Sequence, residues 1–287
     1  MCSIIAINHH YKGFPLVIAS NRDEDIARPS SGVQLLSNEP IIIGGRDELK
    51  GGTWLAVNGH SLFVGITNQG ITNPDLETRG KIVMEALRRT TLRDLIQFVE
   101  EINPSMYNGF NLVFGNQEKV FLAHSYILHS MIIKELPKGV HTISDDIIFN
   151  RISSKSTYIH SKLDKIVDKE WLEYYKILKR TLANTDYVRI KQSKDSAGKC
   201  TVSSSILAFS EQGLSRYKFY DRTKSNLPAN KRYKDYINLF NQNPDEKPVS
   251  EESGDDCDSD PEKIATSTFI TDFSANPTIY KSIRLKY

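Results

Sequence analysis

Apolar runs in this chain are short, and turn residues close them. Ser3 to Asn8 and Leu16 to Ser20 flank a turn containing Lys12, Gly13, Phe14 and Pro15. Thr53 to Val57 and Leu62 to Thr67 flank Asn58-Gly59, the dipeptide that most strongly signals a hairpin. Phe110 to Phe114 and Val120 to His124 meet at Gly115-Asn116, and Val202 to Phe209 and Leu214 to Tyr220 meet across Glu211-Gln212-Gly213. Runs of this length suit strands better than helices, and the short links between them demand antiparallel pairing. Ile41 to Ile43 is another apolar run, and Tyr126 to Lys134 adds a further strand.

Helical spacing appears in two blocks. Gly80 to Arg89 places Ile82, Val83, Ala86 and Leu87 on one face, and Thr91 is positioned to cap a second helix carrying Leu92, Leu95, Ile96 and Val99. Ser154 to Leu182 reads as one long charged helical region anchored by Leu163, Ile166, Trp171, Leu172, Tyr175 and Leu178. Strands, helices, strands, helices and strands in that order predict largely antiparallel sheets with helices packed outside.

Residues 1–240 are expected to form this domain. From Asn241 to Ser267 the chain turns to Asp, Glu, Ser and Pro, with too few aliphatics to offset the entropy of ordering, so a disordered acidic linker is expected. There Ser250 and Ser253 are read as part of a solvated spacer, with phosphorylation as the alternative. Residues 268–287 are expected to return to the domain as a final strand, since Ile279, Ile283 and Leu285 share a face.

Several functions are disfavoured. With 37 basic and 35 acidic residues, the net charge of +2 makes no field that would draw nucleic acid. No apolar run is long enough for a transmembrane helix. Cys2, Cys200 and Cys257 are too few for a disulfide framework and suit a reducing compartment, so a cytoplasmic protein is expected. The scattered histidines have no zinc spacing, the glycines form no phosphate loop, and neither a metal nor a required cofactor is expected.

Two features carry chemistry. Removal of Met1 would give Cys2 both a thiol and a free α-amine, and an amine with a pKa near ~8 can take the thiol proton. The alternative is a small second residue by chance. Asn21-Arg22-Asp23-Glu24 follows an apolar strand as a dense polar cluster, either an orienting group for a thiolate or a structural ion-pair network at a turn. Gly51-Gly52-Thr53-Trp54 reads as a tight turn with Trp54 in the core, and cleft lining is the other reading.

An ordered series of blocks is more specific than any one of them. Cys2, Asn21-Arg22-Asp23-Glu24 with Arg28-Pro29, Gly51-Gly52-Thr53-Trp54-Leu55, Thr67-Asn68, Thr78-Arg79-Gly80 and Tyr107-Asn108-Gly109-Phe110-Asn111-Leu112 resemble the NRDE family in sequence and order. The resemblance implies an α/β fold like that of N-terminal-nucleophile hydrolases, a four-layer αββα sandwich. It also implies a cleft in which Cys2 is the nucleophile, Arg22 and Asp23 position it, and Asn68 donates to an oxyanion, with Asn21, Glu24, Trp54 and Asn108 as further cleft residues. Two positions depart from the family pattern: Asp145 stands where an Asn is usual, and Val202 where an Arg is usual.

The role implied first is Golgi organisation, secretion and trafficking of haem or a lipid-like acyl compound held in a hydrophobic pocket. Its partners would be Golgi or secretory-pathway components, with Golgi association of an otherwise cytoplasmic protein. The alternative is a cysteine amidohydrolase acting on a small linear acyl amide. A third reading makes the acidic linker a partner-binding scaffold.

Overall fold

The computed structural model describes residues 2–70, 73–125, 131–145, 152–191 and 198–223. The acidic segment, the C-terminal strand expected at 268–287 and the end of the 1–240 domain lie outside these residues, as do Tyr126 and the other residues before Met131.

The chain runs β1 (Ser3–Asn8), β2 (Leu16–Asp25), β3 (Ser30–Asn38), β4 (Ile41–Asp47), β5 (Leu55–Asn58), β6 (Phe63–Asn68), α1 (Gly80–Ala86), α2 (Leu92–Glu100), β7 (Phe110–Gly115), β8 (Val120–Ser125), β9 (Met131–Glu135), β10 (Gly139–Ile143), α3 (Ser154–Leu163), α4 (Trp171–Ala183), β11 (Lys199–Ser210) and β12 (Gly213–Asp221). The strands form two sheets, ordered β10-β1-β2-β11-β12 and β3-β4-β5-β6-β7-β8-β9. Neighbouring strands in both are antiparallel.

Three apolar layers hold four layers of structure together. Ile4, Ala6, Leu16 and Ile18 of the first sheet meet Leu55, Val57, Phe63 and Val113 of the second. On the outer side of the first sheet, Ile5, Ile7, Val17 and Ala19 pack on Ile159, Leu163, Tyr174, Leu178 and Leu182 of α3 and α4. On the outer side of the second, Ala56, Val64, Leu112 and Phe114 pack on Ile82, Val83, Leu95 and Val99 of α1 and α2. The expected αββα sandwich is therefore present. It also explains why β1 reads as continuous hydrophobicity: both of its faces are buried, so alternation has no polar side to mark.

Several boundaries differ from the sequence reading. The single helical region at 154–182 is two helices, parted at Asp164 to Glu170, where Lys12 N–H donates to the Val167 carbonyl at 3.1 Å. The NRDE cluster does not follow a strand but lies within β2, where β11 pairs along its whole length and β1 reaches only Asn21. Strands β3 and β10 were not anticipated. β3 is Ser-rich, half-buried and interrupted by two register shifts, so it lacks both the composition and the alternation of a strand. Thr91 does cap α2, accepting from Asp94 N–H at 3.1 Å.

Lys218, on β12 at the rim of the outer core, is 4% exposed and lies 4.1 Å from the centre of the Tyr175 ring. Burial, then the charges of Arg216 and Lys179, push it down to about 8. A base whose pKa falls on folding disfavours the fold while it is charged, so stability should rise as pH climbs from about 8 towards 10.5. Lys218→Met should stabilise the protein at pH 7 by up to ~3 kcal/mol, less whatever the ring contact offsets. It should also flatten the rise in denaturation midpoint between pH 8 and 10. An unchanged midpoint slope across that range would show that the lysine is not the titrating group.

Candidate functional site

Strand alternation sorts the NRDE cluster. Side chains along β2 point to opposite faces of the sheet in turn. Arg22 and Glu24 face a cleft of about 360 Å³ that Cys2, Trp54, Asn68, Thr78, Arg79 and Asn108 also line. Asn21 does not reach this cleft. It is fully buried toward the helices, where its amide donates to the Leu182 carbonyl at 2.9 Å and accepts from Ser204 Oγ at 2.6 Å. Asn21 therefore anchors the last turn of α4 to the sheet and is not the cleft residue it was expected to be.

Cys2 lies just ahead of β1, its thiol donating to the Asp23 carbonyl at 3.5 Å. Burial, then the Asp23 carboxylate, push the thiol above its ordinary value, while the Arg22 charge pulls the other way. Asp23 is buried between strands and accepts from Thr201 Oγ1. Burial raises its carboxyl, and the Thr201 bond and the Lys155 charge oppose that. Lys155 donates to Ser3 Oγ at 2.7 Å, directly beside Cys2 in sequence.

Arg22 is 4% exposed, its guanidinium 4.4 Å from the centre of the Trp54 ring. It donates to Ser30 Oγ at 3.2 Å and lies 3.8 Å from Glu24. Trp54 thus forms cleft wall as well as packing on the core, which corrects the reading that placed it wholly in the core. Gly45 makes this possible: a Cβ there would lie 2.4 Å from the Trp54 ring. Asn68, at the end of β6, is exposed to the cleft. Asn108 pins the opposite rim, accepting from Asn73 N–H at 2.7 Å and donating to its carbonyl at 2.8 Å.

The two departures from the family pattern lie away from these walls. Neither Asp145 nor Val202 lines the cleft. Val202 is buried at the point where β11 shifts register between Thr201 and Ser203.

Sequence reasoning missed other parts of the site. Arg28 binds Asp47 at 2.6 Å across the mouth, joining the turn after β2 to the end of β4. Behind Asn68, the Gln69 amide donates to the Phe110 carbonyl and to Asn111 Oδ1, both at 2.9 Å. It also meets His124 Nδ1 at 3.0 Å. Asn111 donates to the Ser144 carbonyl at 2.7 Å, tying one sheet to the other. Only the polar residues inside the apolar strands β7 and β8 hinted at this network. Among the described residues, no group of three or more His, Cys, Asp or Glu side chains is arranged to hold a metal. No helix there is long and apolar enough to cross a membrane.

Comparison with known proteins bears on the fold and the family. The chain is 32% identical over 107 residues to a mouse protein called Transport and Golgi organization 2 homolog, and 30% identical over 105 residues to its human counterpart. Each match covers 35% of this chain and 38% of the relative. Two solved structures share the fold at low identity. One is a Caenorhabditis elegans N-acylethanolamine-hydrolyzing acid amidase ortholog, with a TM-score of 0.50 and 10% identity over 72% of this chain and 92% of that one. The other is a single-residue variant of a conjugated bile acid hydrolase from Clostridium perfringens, with a TM-score of 0.52 and 9% identity over 77% of this chain and 89% of that one. The family described as Transport and Golgi organisation 2 matches residues 1–225, and the chain belongs to that family.

Proposed function

We propose that the Cys2 cleft is a site for a small acyl amide, cleaved by the N-terminal cysteine once Met1 has been removed, and that this chemistry serves the transport and Golgi-organisation role that the family's name carries. The observation that supports it is the convergence of Cys2, Arg22 and Asn68 on one cleft, with both family departures outside it. In the reaction, the freed α-amine takes the thiol proton and sulfur attacks the amide carbonyl. The Asn68 amide donates to the developing oxyanion. The same proton passes to the leaving amine as the C–N bond breaks, and water then hydrolyses the thioester to release the acid. No metal or redox cofactor is required by this sequence of steps.

A second reading, a carrier for an acyl compound or haem, is favoured by the raised thiol, which suits a site that holds rather than cuts. The cleft walls are charged and polar, with Trp54, Ile66 and Leu76 as apolar patches, in place of the hydrophobic pocket expected for such cargo. Cytoplasmic placement and Golgi partners belong with this proposal.

Untagged protein, confirmed by intact mass to begin at Cys2, should hydrolyse members of an N-acyl amide panel, and Cys2→Ala should not. Equal release of amine by both proteins would sink the hydrolase. Absence of turnover together with a retained acyl ligand or haem in native mass spectra would favour the carrier.

A further inference from the structure

The charges lining the cleft do not cancel. Arg28 is matched by Asp47 at 2.6 Å, and both Arg22 and Arg28 lie 3.8 Å from Glu24. Glu77 is engaged by Lys81 at 2.7 Å. Arg79 is different. It is half-buried, and its Nη1 donates to the neutral Gly109 carbonyl at 2.8 Å. Among the described residues it forms no ion pair. Exposed Lys50 and Lys199 line the same cleft and likewise have no ion-pair partner among those residues.

Arg79 is also held in place. Gly80 and Gly52 press backbone on backbone: a Cβ on Gly52 would come within 2.6 Å of the Gly80 carbonyl carbon. Thr53 N–H reaches the Gly80 carbonyl at 3.4 Å. The turn that carries Arg79 therefore has little freedom, and burial is the largest influence on its guanidinium, disfavouring the charge. A guanidinium presents five N–H donors in a planar fork that matches a carboxylate or phosphate. A half-desolvated cation without a counter-ion is costly to keep, and the cost is relieved when an anion binds.

We propose that Arg79 receives an anionic end, carboxylate or phosphate, of the ligand whose acyl group lies at Cys2, so that the cleft selects acidic acyl amides over neutral ones. Lys50 and Lys199 add to the attraction from the rim. The inference rests on an acyl ligand occupying the cleft, but its test does not depend on turnover.

Full-length Cys2→Ala protein would be titrated calorimetrically with N-decanoylglycine, N-decanoylphosphoethanolamine and neutral N-decanoylglycinamide. The acidic probes should bind at least about tenfold more tightly than the neutral one, and added salt should narrow the gap. The tighter of the two acidic probes identifies carboxylate or phosphate as the preferred end. Arg79→Gln keeps a donor for Gly109 and should remove the preference, whereas Arg79→Lys should retain part of it. Equal affinity for all three probes, no binding of any, or an undiminished preference in Arg79→Gln would overturn the proposal. The first of these outcomes needs no Arg79 variant, so a misfolded variant does not protect the idea. Turnover of acidic and neutral amides at equal rates by the unsubstituted protein would keep the hydrolase and sink the anion site. Selective binding without turnover would do the reverse.

Discussion

A protein that retains one residue ahead of Cys2 is expected to lose about three orders of magnitude in amide turnover while keeping its fold. The loss follows from what surrounds the sulfur. Burial and the Asp23 carboxylate hold the thiol above its ordinary value, so little thiolate is present at neutral pH. The thiol proton must therefore be taken by a base within reach as sulfur attacks. Asp23 does not line the cleft, and its Oδ1 accepts from Thr201. A free α-amine on Cys2 supplies the base, and an amide nitrogen in its place cannot. Ligand affinity should change far less, because Arg22, Trp54 and Asn68 are untouched. The comparison is kcat/KM for processed and unprocessed protein, each verified by intact mass, alongside their unfolding midpoints. Equal rates would mean that the amine takes no part, and the N-terminal-nucleophile mechanism would fall with it.

Asn58→Leu is expected to cost roughly 3–5 kcal/mol, one of the larger penalties a single polar substitution can bring here. Asn58 is 1% exposed, and its side chain makes four hydrogen bonds among the described residues. Its amide donates to the Leu87 carbonyl at 2.9 Å and the Arg89 carbonyl at 2.8 Å, and its Oδ1 accepts from His60 and Leu62 N–H, each at 3.0 Å. Leucine has the volume but none of the polar atoms, and it leaves two carbonyls and two N–H groups without these partners. In a domain of this size the melting temperature should fall by roughly 10 °C. The same side chain locks the C-terminal end of α1, whose opposite end carries Arg79. A loosened α1 should therefore weaken binding of acidic ligands as well. A shift under 3 °C in differential scanning calorimetry would show that solvent replaces the lost bonds and that Asn58 is not the fastener its geometry implies.

Asn58 also shows how far a sequence can be read. Asn58-Gly59 between apolar runs marks a hairpin correctly, yet the long-range bonds to residues 87 and 89 are invisible at that level. Antiparallel sheets with helices outside were legible because hairpins and amphipathic helices are local patterns, whereas the four-layer sandwich came only with the family resemblance. The break between α3 and α4 was not, because Lys12 lies far away in sequence from the Val167 carbonyl it binds. At the site, Cys2, Arg22, Glu24, Trp54, Asn68 and Asn108 do meet on one cleft. Asn21 does not, and the period of a strand accounts for it once the cluster is known to lie inside β2. Arg79 stood in a recognised block without an assigned role, since whether an arginine has a carboxylate nearby is decided only by tertiary structure.

The order of strands in the first sheet has a consequence for how the protein is made. β2 pairs with β11 so that Asp23 faces Thr201, and β1 pairs with β10 so that Ile4 faces Ile143. The hairpin of β1 and β2 alone is marginal in water. During synthesis at about 5–20 residues per second, the partners of both strands have yet to leave the ribosome. The end of the nascent chain should therefore stay accessible to an aminopeptidase through most of translation and close over only when β11 arrives. A stall or truncation before β11 would leave β2 as an open strand edge, so faults in the last described strands should surface as aggregation rather than as altered specificity.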